Sequence, residues 1–510
     1  MNLVPRPLPS ASELIHAGTL VPARPWPRYQ LVPEAWADLA DRLTTDPLRL
    51  ITLWADETAI HALFLDAQGH PLVASVPIEL RRYLALSPAR PTMSPCERMV
   101  RDLWGVEAIG ALDLRPWLDH GNWGLTAPLS PRPGPAVWPP ESPEFTAVPE
   151  DESSGAFQLG LGPVQTIAPG PVHLRLILDG ERVARLEVRL GYAHRGMVRL
   201  LRGRTPAEAA PLVAHIDAET TVAHQSAFAR AVEAAGGWRI TARAEALRVV
   251  MAELERCAVH LHHLAQVARL VGLDQAGTSA GWMRQTVLEG CAAAFGHRMM
   301  MGTIVPGGLA SAPIETGLGS LPSVLDRLEA ALPGLARAFQ GGSNRLSGRA
   351  RLGASVAATC MVGGPAGRAS GHPLDVRALP PLHLEVGPGT LLQAGDAAAR
   401  CRIRLDEIAC SLVLVRRLLL ADPAGPVHRD ALPEQDLFGP ASEGFGVAES
   451  AHGPVWHWIR IESGRLSALH IHDPGLALWL ALEQAAPGLE LDELRLMCRS
   501  LGLSASGADL

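Results

Sequence analysis

The ten residues HIDAETTVAH, 215–224, hold two acids, Asp217 and Glu219, and two histidines, His215 and His224. Carboxylates and imidazoles bind divalent metals without help from sulfur, and they also carry protons near neutral pH. The stretch follows a Gly/Arg/His-rich turn and leads into TTVAHQSAFARAVE, which reads as a helix. Two readings of Asp217 follow. At a helix N-terminus an acid complements the macrodipole and helps cap the helix. In apolar surroundings, paired with His224, it is instead a buried carboxylate of raised pKa that starts a proton path.

Other residues offer chemistry elsewhere. His194 and Arg195 in GYAHRG, 191–196, either form a turn whose arginine pairs with a nearby acid or contact a cofactor or partner. Glu253, Arg256 and His260 fall on one helical stripe and read as an ion-pair network. In HLHHLAQ, 260–266, His260 and His263 face one way, but no acid accompanies them and the flanks are apolar. They read as core or interface histidines, and no metal bound by this chain is expected. Seven cysteines are scattered, at 96, 257, 291, 360, 401, 410 and 498, with no C-x-x-C pair. Zinc and iron–sulfur sites with cysteine ligands ordinarily show such pairs. These cysteines therefore read as small buried hydrophobes, and disulfides are not expected in a reducing cytoplasm.

The elements that must position these residues follow from periodicity. RLITLWADETAIHALFLDAQGHPLVASV, 49–76, alternates apolar and polar residues around a QGH turn, as strands do. MSPCERMVRDLWGV, 93–106, reads as a helix with Met99, Leu103 and Trp104 on one face. Residues 125–155 are dense in Pro and Ser and cannot hold a helix or a central strand, so a domain boundary falls there. Residues 172–191 read as a hairpin turning at Asp179-Gly180. Long amphipathic helices are expected at 244–272, 320–342 and 396–422, a strand-like patch at 454–475 and a last helix at 476–486.

A chain of 510 residues is too long for one ordinary core. Its net charge of -7 does not suit nucleic acid, which wants a basic face. All 45 basic residues are arginine, which reads as genome composition bias. No run of about 18 uncharged apolar residues appears, so no membrane span is expected; SLVLVRRLLL, 411–420, is broken by Arg416 and Arg417. The N-terminus lacks a signal-peptide pattern.

Several motifs in order then carry a resemblance. GYAHRG is followed by GRTPAEAAPLVAHID, by RVVMAELERCAVHL with Arg248, Glu253, Arg256 and His260, by FGHRMMMGTIVPGG (295–308), by GPAGRASGHPLDVR (364–377) and by GVAESAHGPVWHWI (446–459). The series resembles the scaffold shared by nickel–iron hydrogenase large subunits and the quinone-site, D-type subunit of respiratory complex I (NADH-quinone oxidoreductase). ERMVRDLWGVEAIGALDLR, 97–115, is similar to the signature of its neighbour, the C-type subunit. Fusion of the two is the arrangement of formate hydrogenlyase-type, energy-converting hydrogenases.

The resemblance implies an α+β fold. A small α/β domain resembling the C-type subunit is expected at 1–124, a Pro/Ser-rich linker at 125–156, and a mainly helical domain with a peripheral sheet, resembling the D-type subunit and the hydrogenase large subunit, at 157–510. In hydrogenases two C-x-x-C pairs hold nickel and iron. Here Asp217 and Thr220 stand at the first pair, and Ser504 and Gly507 at the second. Soft thiolates are what that centre requires, so the chain looks like the branch that lacks the metal-binding cysteines. In complex I a tyrosine directly after the aspartate and a histidine in a G-P-x-H loop hold the quinone; here these positions are Ala218 and Gln165, with His173 nearby. The family pattern thus puts Asp217, Thr220 and His224 in a catalytic or proton-handling role, and Gln165, His173, His194, Arg195 and Ala218 around a cavity that binds a quinone or another small redox partner. The resemblance further implies an iron–sulfur small subunit and antiporter-like membrane subunits as partners. Iron–sulfur clusters are expected in those partners, none in this chain. The place implied is cytoplasmic, on the inner face of the cell membrane, in a complex that couples electron transfer to ion translocation. The alternative is a structural coupling subunit whose cavity is filled.

Overall fold

The structure, a computed structural model, describes residues 9–135, 157–378, 389–428 and 441–510. The chain divides into two compact units, Met1–Glu144 and Phe145–Leu510. Most of the expected linker, 136–156, lies outside the described residues.

In the first unit, α1 (Ala11–His16), β1 (Thr19–Val21), β2 (Arg28–Gln30) and α2 (Pro33–Arg42) precede the strands β3 (Arg49–Ala55), β4 (Ala59–Leu65) and β5 (Pro71–Pro77). The five strands form one sheet in the order β1-β2-β5-β4-β3, in which β2 and β5 run parallel and the other pairs antiparallel. The stretch expected as strand–turn–strand is thus three strands, with the QGH turn between β4 and β5. Nearly every residue of β3, β4 and β5 is buried, because helices pack on the sheet and remove the solvent face that alternation would otherwise mark. The expected helix appears as α3 (Ser94–Trp104) and packs on β3; it ends at Gly105, whose φ of +64° suits a left-handed cap. Two short pairs complete the unit, β6 (Arg82–Leu84) with β7 (Glu107–Ile109), and β8 (Leu125–Thr126) with β9 (Gly134–Pro135).

The second unit opens with a three-stranded antiparallel sheet, β10 (Phe157–Leu161), β11 (His173–Asp179) and β12 (Arg182–Arg189). The hairpin turn is Gly180-Glu181, one residue later than expected, because Asp179 still pairs with Arg182. The chain then runs through α4 (Met197–Leu201) and α5 (Pro206–Val213), the latter closed by a Thr205/Glu208 capping box. The helices α6 (Thr221–Gly236), α7 (Ala242–Leu270), α8 (Asp274–Phe295) and α9 (Glu315–Gly341) follow. Two short strands, β13 (Ile304–Val305) and β14 (Gly308–Leu309), join the last two helices. Beyond them lie α10 (Ala354–Thr359), α11 (Gly364–Ala369) and α12 (Ala397–Ala421). α7 packs against α8 and α12, and α8 against α9, so the three long predicted helices form one bundle.

A second three-stranded sheet, β15 (Ala441–Glu449), β16 (Pro454–Glu462) and β17 (Arg465–His472), is laid on α6. The approach is close enough to exclude side chains: a Cβ on Gly444 or Gly446 would sit 2.0 Å from Ala231 O or 1.9 Å from Ala227 O. The chain ends in α13 (Gly475–Ala485), α14 (Leu491–Leu501) and α15 (Ser506–Asp509). Two helices therefore follow the one expected to be last. Leu494, Met497, Cys498 and Leu501 of α14 are all buried and lie three to four residues apart, a period legible in LDELRLMCRSL. No helix among the described residues is long and apolar enough to cross a membrane. The architecture is α+β.

Candidate functional site beside helix α6

The turn that carries Asp217 is tied to the C-terminus by GYAHRG. Arg195 donates to the carbonyls of His215 (2.6 Å), Ile216 and Ser506 (3.4 Å). The Asp509 carboxylate accepts from the amides of Gly191 and Ala193, each at 2.8 Å, and His194 Nδ1 donates to Asp509 O at 2.7 Å. Burial pushes the Asp509 carboxyl up to about 6, although those two amides and Arg195 oppose it. Arg195 thus clamps carbonyls where an acid was expected as its partner: a planar, multiply donating guanidinium satisfies a bend whose carbonyls have no helical partner. His194 and Arg195 position the site from behind.

Asp217, Thr220, Ser504 and Gly507 do converge, and the space between them holds Asp473. Ser504 Oγ donates to Asp217 Oδ2. Thr220 Oγ1 donates to Asp473 Oδ2 at 3.4 Å. Gly507 has no side chain because a Cβ there would lie 2.3 Å from Asp473 Cγ and 2.5 Å from each carboxylate oxygen. The amide of Gly475 holds Asp473 Oδ1 at 2.7 Å.

From Asp473 a chain of hydrogen bonds leads into the protein. Its Oδ2 lies 3.1 Å from His224 Nε2, and His224 Nδ1 lies 3.0 Å from His457 Nε2. All three side chains are buried, and His457 Nδ1 finds no partner among the described residues. Asp217 was expected to pair with His224; Asp473 holds that place. Asp217 instead accepts the amide of Glu219 at 2.7 Å and the Ser504 hydroxyl, and it does not cap α6. Its carboxyl is pushed up by burial and by the charges of Asp473 and Glu219. Burial opposes the charge of Asp473 too, but hydrogen bonding by His224 and Gly475 outweighs it and holds that carboxyl low. Two carboxylates sharing one dry site are driven apart in this way, Asp217 upward and Asp473 downward. An ionised Asp473 makes His224 Nε2 the donor, so Nδ1 is left to exchange a proton with His457. Burial and the neighbouring His224 and His470 keep His457 far below the ordinary imidazole range.

A second group lies on the other side of the same turn. Glu219 Oε2 accepts from His263 Nε2 at 3.0 Å and from His452 Nε2 at 2.9 Å, and His262 Nε2 is 3.7 Å from Oε1. The histidine run of α7 therefore has an acid after all. It was invisible in the sequence because Glu219 precedes that run by about forty residues and His452 sits in the β15–β16 turn. Burial pushes His263 down to about 3; it also opposes the charge of Glu219, which its histidine partners nonetheless hold well below the ordinary carboxylate range. Beside Ala218 opens a cavity of about 140 Å³ lined by Glu219, Glu255, His262, Arg284 and Arg298, among others. Glu255 accepts the amides of Val222 (2.6 Å) and Ala223 (3.3 Å) at the start of α6, yet burial pushes it up to about 8.

Around both groups runs a frame of buried ion pairs and hydrogen bonds. Arg256 meets Glu253 at 3.1 Å, Arg377 meets Glu253 at 3.2 Å and Arg368 meets Glu407 at 2.7 Å, while His260, pushed down to about 4 by burial, hydrogen-bonds Glu407 at 2.8 Å. The helical stripe Glu253, Arg256, His260 thus belongs to a structural network.

Of the residues singled out in the sequence, Asp217, Thr220 and His224 are brought together and Ala218 borders the cavity. Gln165 is not among them: its amide accepts from Ala168 N (2.8 Å) and donates to Ala168 O (3.0 Å) and Gly170 O (3.2 Å), closing its own loop. His173 sits on β11 opposite Arg189, its ring beside Gly160. Neither lines the cavity. Sequence reasoning passed over Asp473, His457, His452 and Glu255.

The same fold is found in the membrane-bound sulfane sulfur reductase, an archaeal respiratory membrane complex: the chain matches it with a TM-score of 0.65 at 24% identity, over 71% of this chain and 100% of that one. Residues 277–436 match the family described as respiratory-chain NADH dehydrogenase, 49 Kd subunit. The D-type subunit of the NADH-quinone oxidoreductase of Dehalococcoides mccartyi is 30% identical over 60% of this chain and 84% of its own length. The carbon monoxide-induced hydrogenase of Rhodospirillum rubrum is 26% identical over 68% of this chain and 97% of its own. The chain belongs to the family of the 49 kDa subunit of respiratory-chain NADH dehydrogenase.

Proposed function

We propose that this chain is the large subunit of a membrane-attached oxidoreductase complex that couples electron transfer to ion translocation, without a nickel–iron centre of its own. It sits on the cytoplasmic, inner face of the membrane, where an iron–sulfur small subunit and antiporter-like membrane subunits bind it. The observation that carries the reading is the exchange at the ligand positions: Asp217, Thr220, Ser504 and Gly507 surround a carboxylate, Asp473, that is hydrogen-bonded into His224 and His457. A carboxylate and two imidazoles in line accept and pass protons. They replace the thiolates that nickel and iron need. The cavity beside Ala218 takes a quinone or another small redox partner, and Glu255, pushed up to about 8, is the group on its wall poised to give or take a proton near neutral pH.

A second reading has one observation in its favour. The close fit of Asp473 against Gly507 fills the old metal position, as expected of a coupling subunit with no chemistry there. Proton translocation separates the two. Membrane vesicles carrying the complex are energised with an artificial low-potential electron donor, and proton movement is followed with a pH-sensitive dye. The relay reading expects H224Q and D473N to abolish donor-dependent translocation while the complex stays assembled. Unchanged translocation in both variants leaves the coupling-subunit reading standing.

A further inference from the structure

Among the described residues one group of side chains has the composition and spacing of a metal site: Glu219, His263 and His452, whose ligand atoms all lie within 4.8 Å of one another. They come from three elements, the turn before α6, the helix α7 and the β15–β16 turn, so the fold itself gathers them. Two Nε2 atoms meet one carboxylate oxygen at 3.0 and 2.9 Å. Around a tetrahedral ion with bonds of about 2.0–2.1 Å, ligand atoms stand about 3.3 Å apart. The two carboxylate–imidazole separations need to widen by only a few tenths of an ångström to admit an ion, and the two imidazole nitrogens lie within 4.8 Å of each other. The rings of His263 and His452 meet edge-on, centroids 5.2 Å apart at 77°, which lets both nitrogens aim at one point.

The plain alternative is a carboxylate that accepts two imidazole N–H groups. That arrangement is uneven. Oε2 takes both donors, and Oε1 is left with His262 at 3.7 Å, beyond a hydrogen bond. Glu219 also lines the cavity beside Ala218, which gives an ion an entry path and leaves a coordination position facing the cavity.

We propose that Glu219, His263 and His452 bind one zinc or iron(II) ion, with its remaining position open to the cavity. Two imidazoles and one carboxylate suit these ions, whereas magnesium and calcium prefer oxygen alone. Arg284 and Arg298 on the cavity wall add positive charge, so the ion keeps a hydroxide or another anion on its open side. The site shares no ligand with the Asp473 relay, although Glu219 also lines the cavity that the proposed function gives to the redox partner.

The test is titration of the metal-free full-length chain with Co²⁺, followed by its visible absorption and by equilibrium dialysis. One Co²⁺ per chain is expected, with bands of a four- or five-coordinate site. E219Q and H452A are each expected to weaken binding by more than about 100-fold, beyond the loss that even an outer-shell partner produces. H457Q, in the relay, is expected to bind Co²⁺ as the wild type does whatever happens to translocation, so failure of the metal site and failure of the coupling role read separately. Circular dichroism establishes that each variant is folded; E219Q, nearly isosteric, carries the comparison if H452A is not. Absence of Co²⁺ binding by the folded wild type overturns the proposal, as does binding that survives in the folded ligand variants.

Discussion

Gly507→Ala puts the packing around the Asp473 carboxylate to a direct test. Gly507 lies in the helical turn α15, where alanine is ordinarily preferred over glycine by about 1 kcal/mol. Here the added Cβ would sit 2.3 Å from Asp473 Cγ and 2.5 Å from both its oxygens. Asp473 cannot easily yield. Gly475 N holds one oxygen at 2.7 Å, and His224 holds the other at 3.1 Å. Overpacking of this kind costs about 1–3 kcal/mol. With an unfolding entropy of about 2.1 cal/mol/K per residue, a unit spanning residues 145–510 should lose about 1–4 °C in Tm. The assay is calorimetry of the full chain, with the variant also made on a D473A background. There the Cβ has room and the helical preference returns, so G507A should be neutral or slightly stabilising. An equal loss in both backgrounds would mean that Gly507 is required for something other than the Asp473 carboxylate.

Three further outcomes are expected. Glu255 carries a proton in the folded protein up to about pH 8 that an unfolded chain releases near the ordinary glutamate value of 4.5. The folded state binds the extra proton between those values, so wild-type stability falls relative to E255Q as pH rises from about 4.5 to 8, then runs parallel; Tm differences that stay constant over that window would contradict this. S504A removes the hydroxyl that helps Asp217 carry charge. It should cost about 1–3 kcal/mol through an unsatisfied buried acceptor and raise the Asp217 pKa further, readable by infrared difference spectroscopy of its carboxyl band. R195A unclamps the carbonyls of His215 and Ile216 from the C-terminal segment. Because Arg195 is exposed, the cost should be only about 1 kcal/mol, but amide exchange of residues 504–510 should quicken selectively.

What could be read in the sequence, and what could not, follows the range of the interactions. Helices and strands were legible because burial of one face imposes a period on neighbouring residues. Among the exceptions were the break between β3 and β4, strands buried on both faces and read as one, and α14, passed over although its period is plain. The family was legible because whole motifs occur in order. At the site, Asp217, Thr220 and His224 lie on one turn and its helix, so a local reading finds them together. Their partner Asp473 is some 250 residues away, in HIHDPG, where it looks like a strand end. His263 reaches Glu219 through the packing of α7 on α6, and His452 only after the β15–β16 hairpin folds onto α6. Gln165 and His173 were placed at the cavity by analogy with a loop, but the loop spends the Gln165 amide on its own backbone. Short loops settle their own hydrogen bonds first, and no residue-type pattern reveals that.

The coupling role rests most directly on the company this chain keeps. A tagged copy expressed at native level would be purified from detergent-solubilised membranes under mild detergent and low salt, its partners identified by mass spectrometry and its nickel content determined. Recovery with an iron–sulfur small subunit and antiporter-like membrane subunits is expected, with nickel far below one atom per chain. A chain recovered alone, or one carrying stoichiometric nickel, would contradict that expectation.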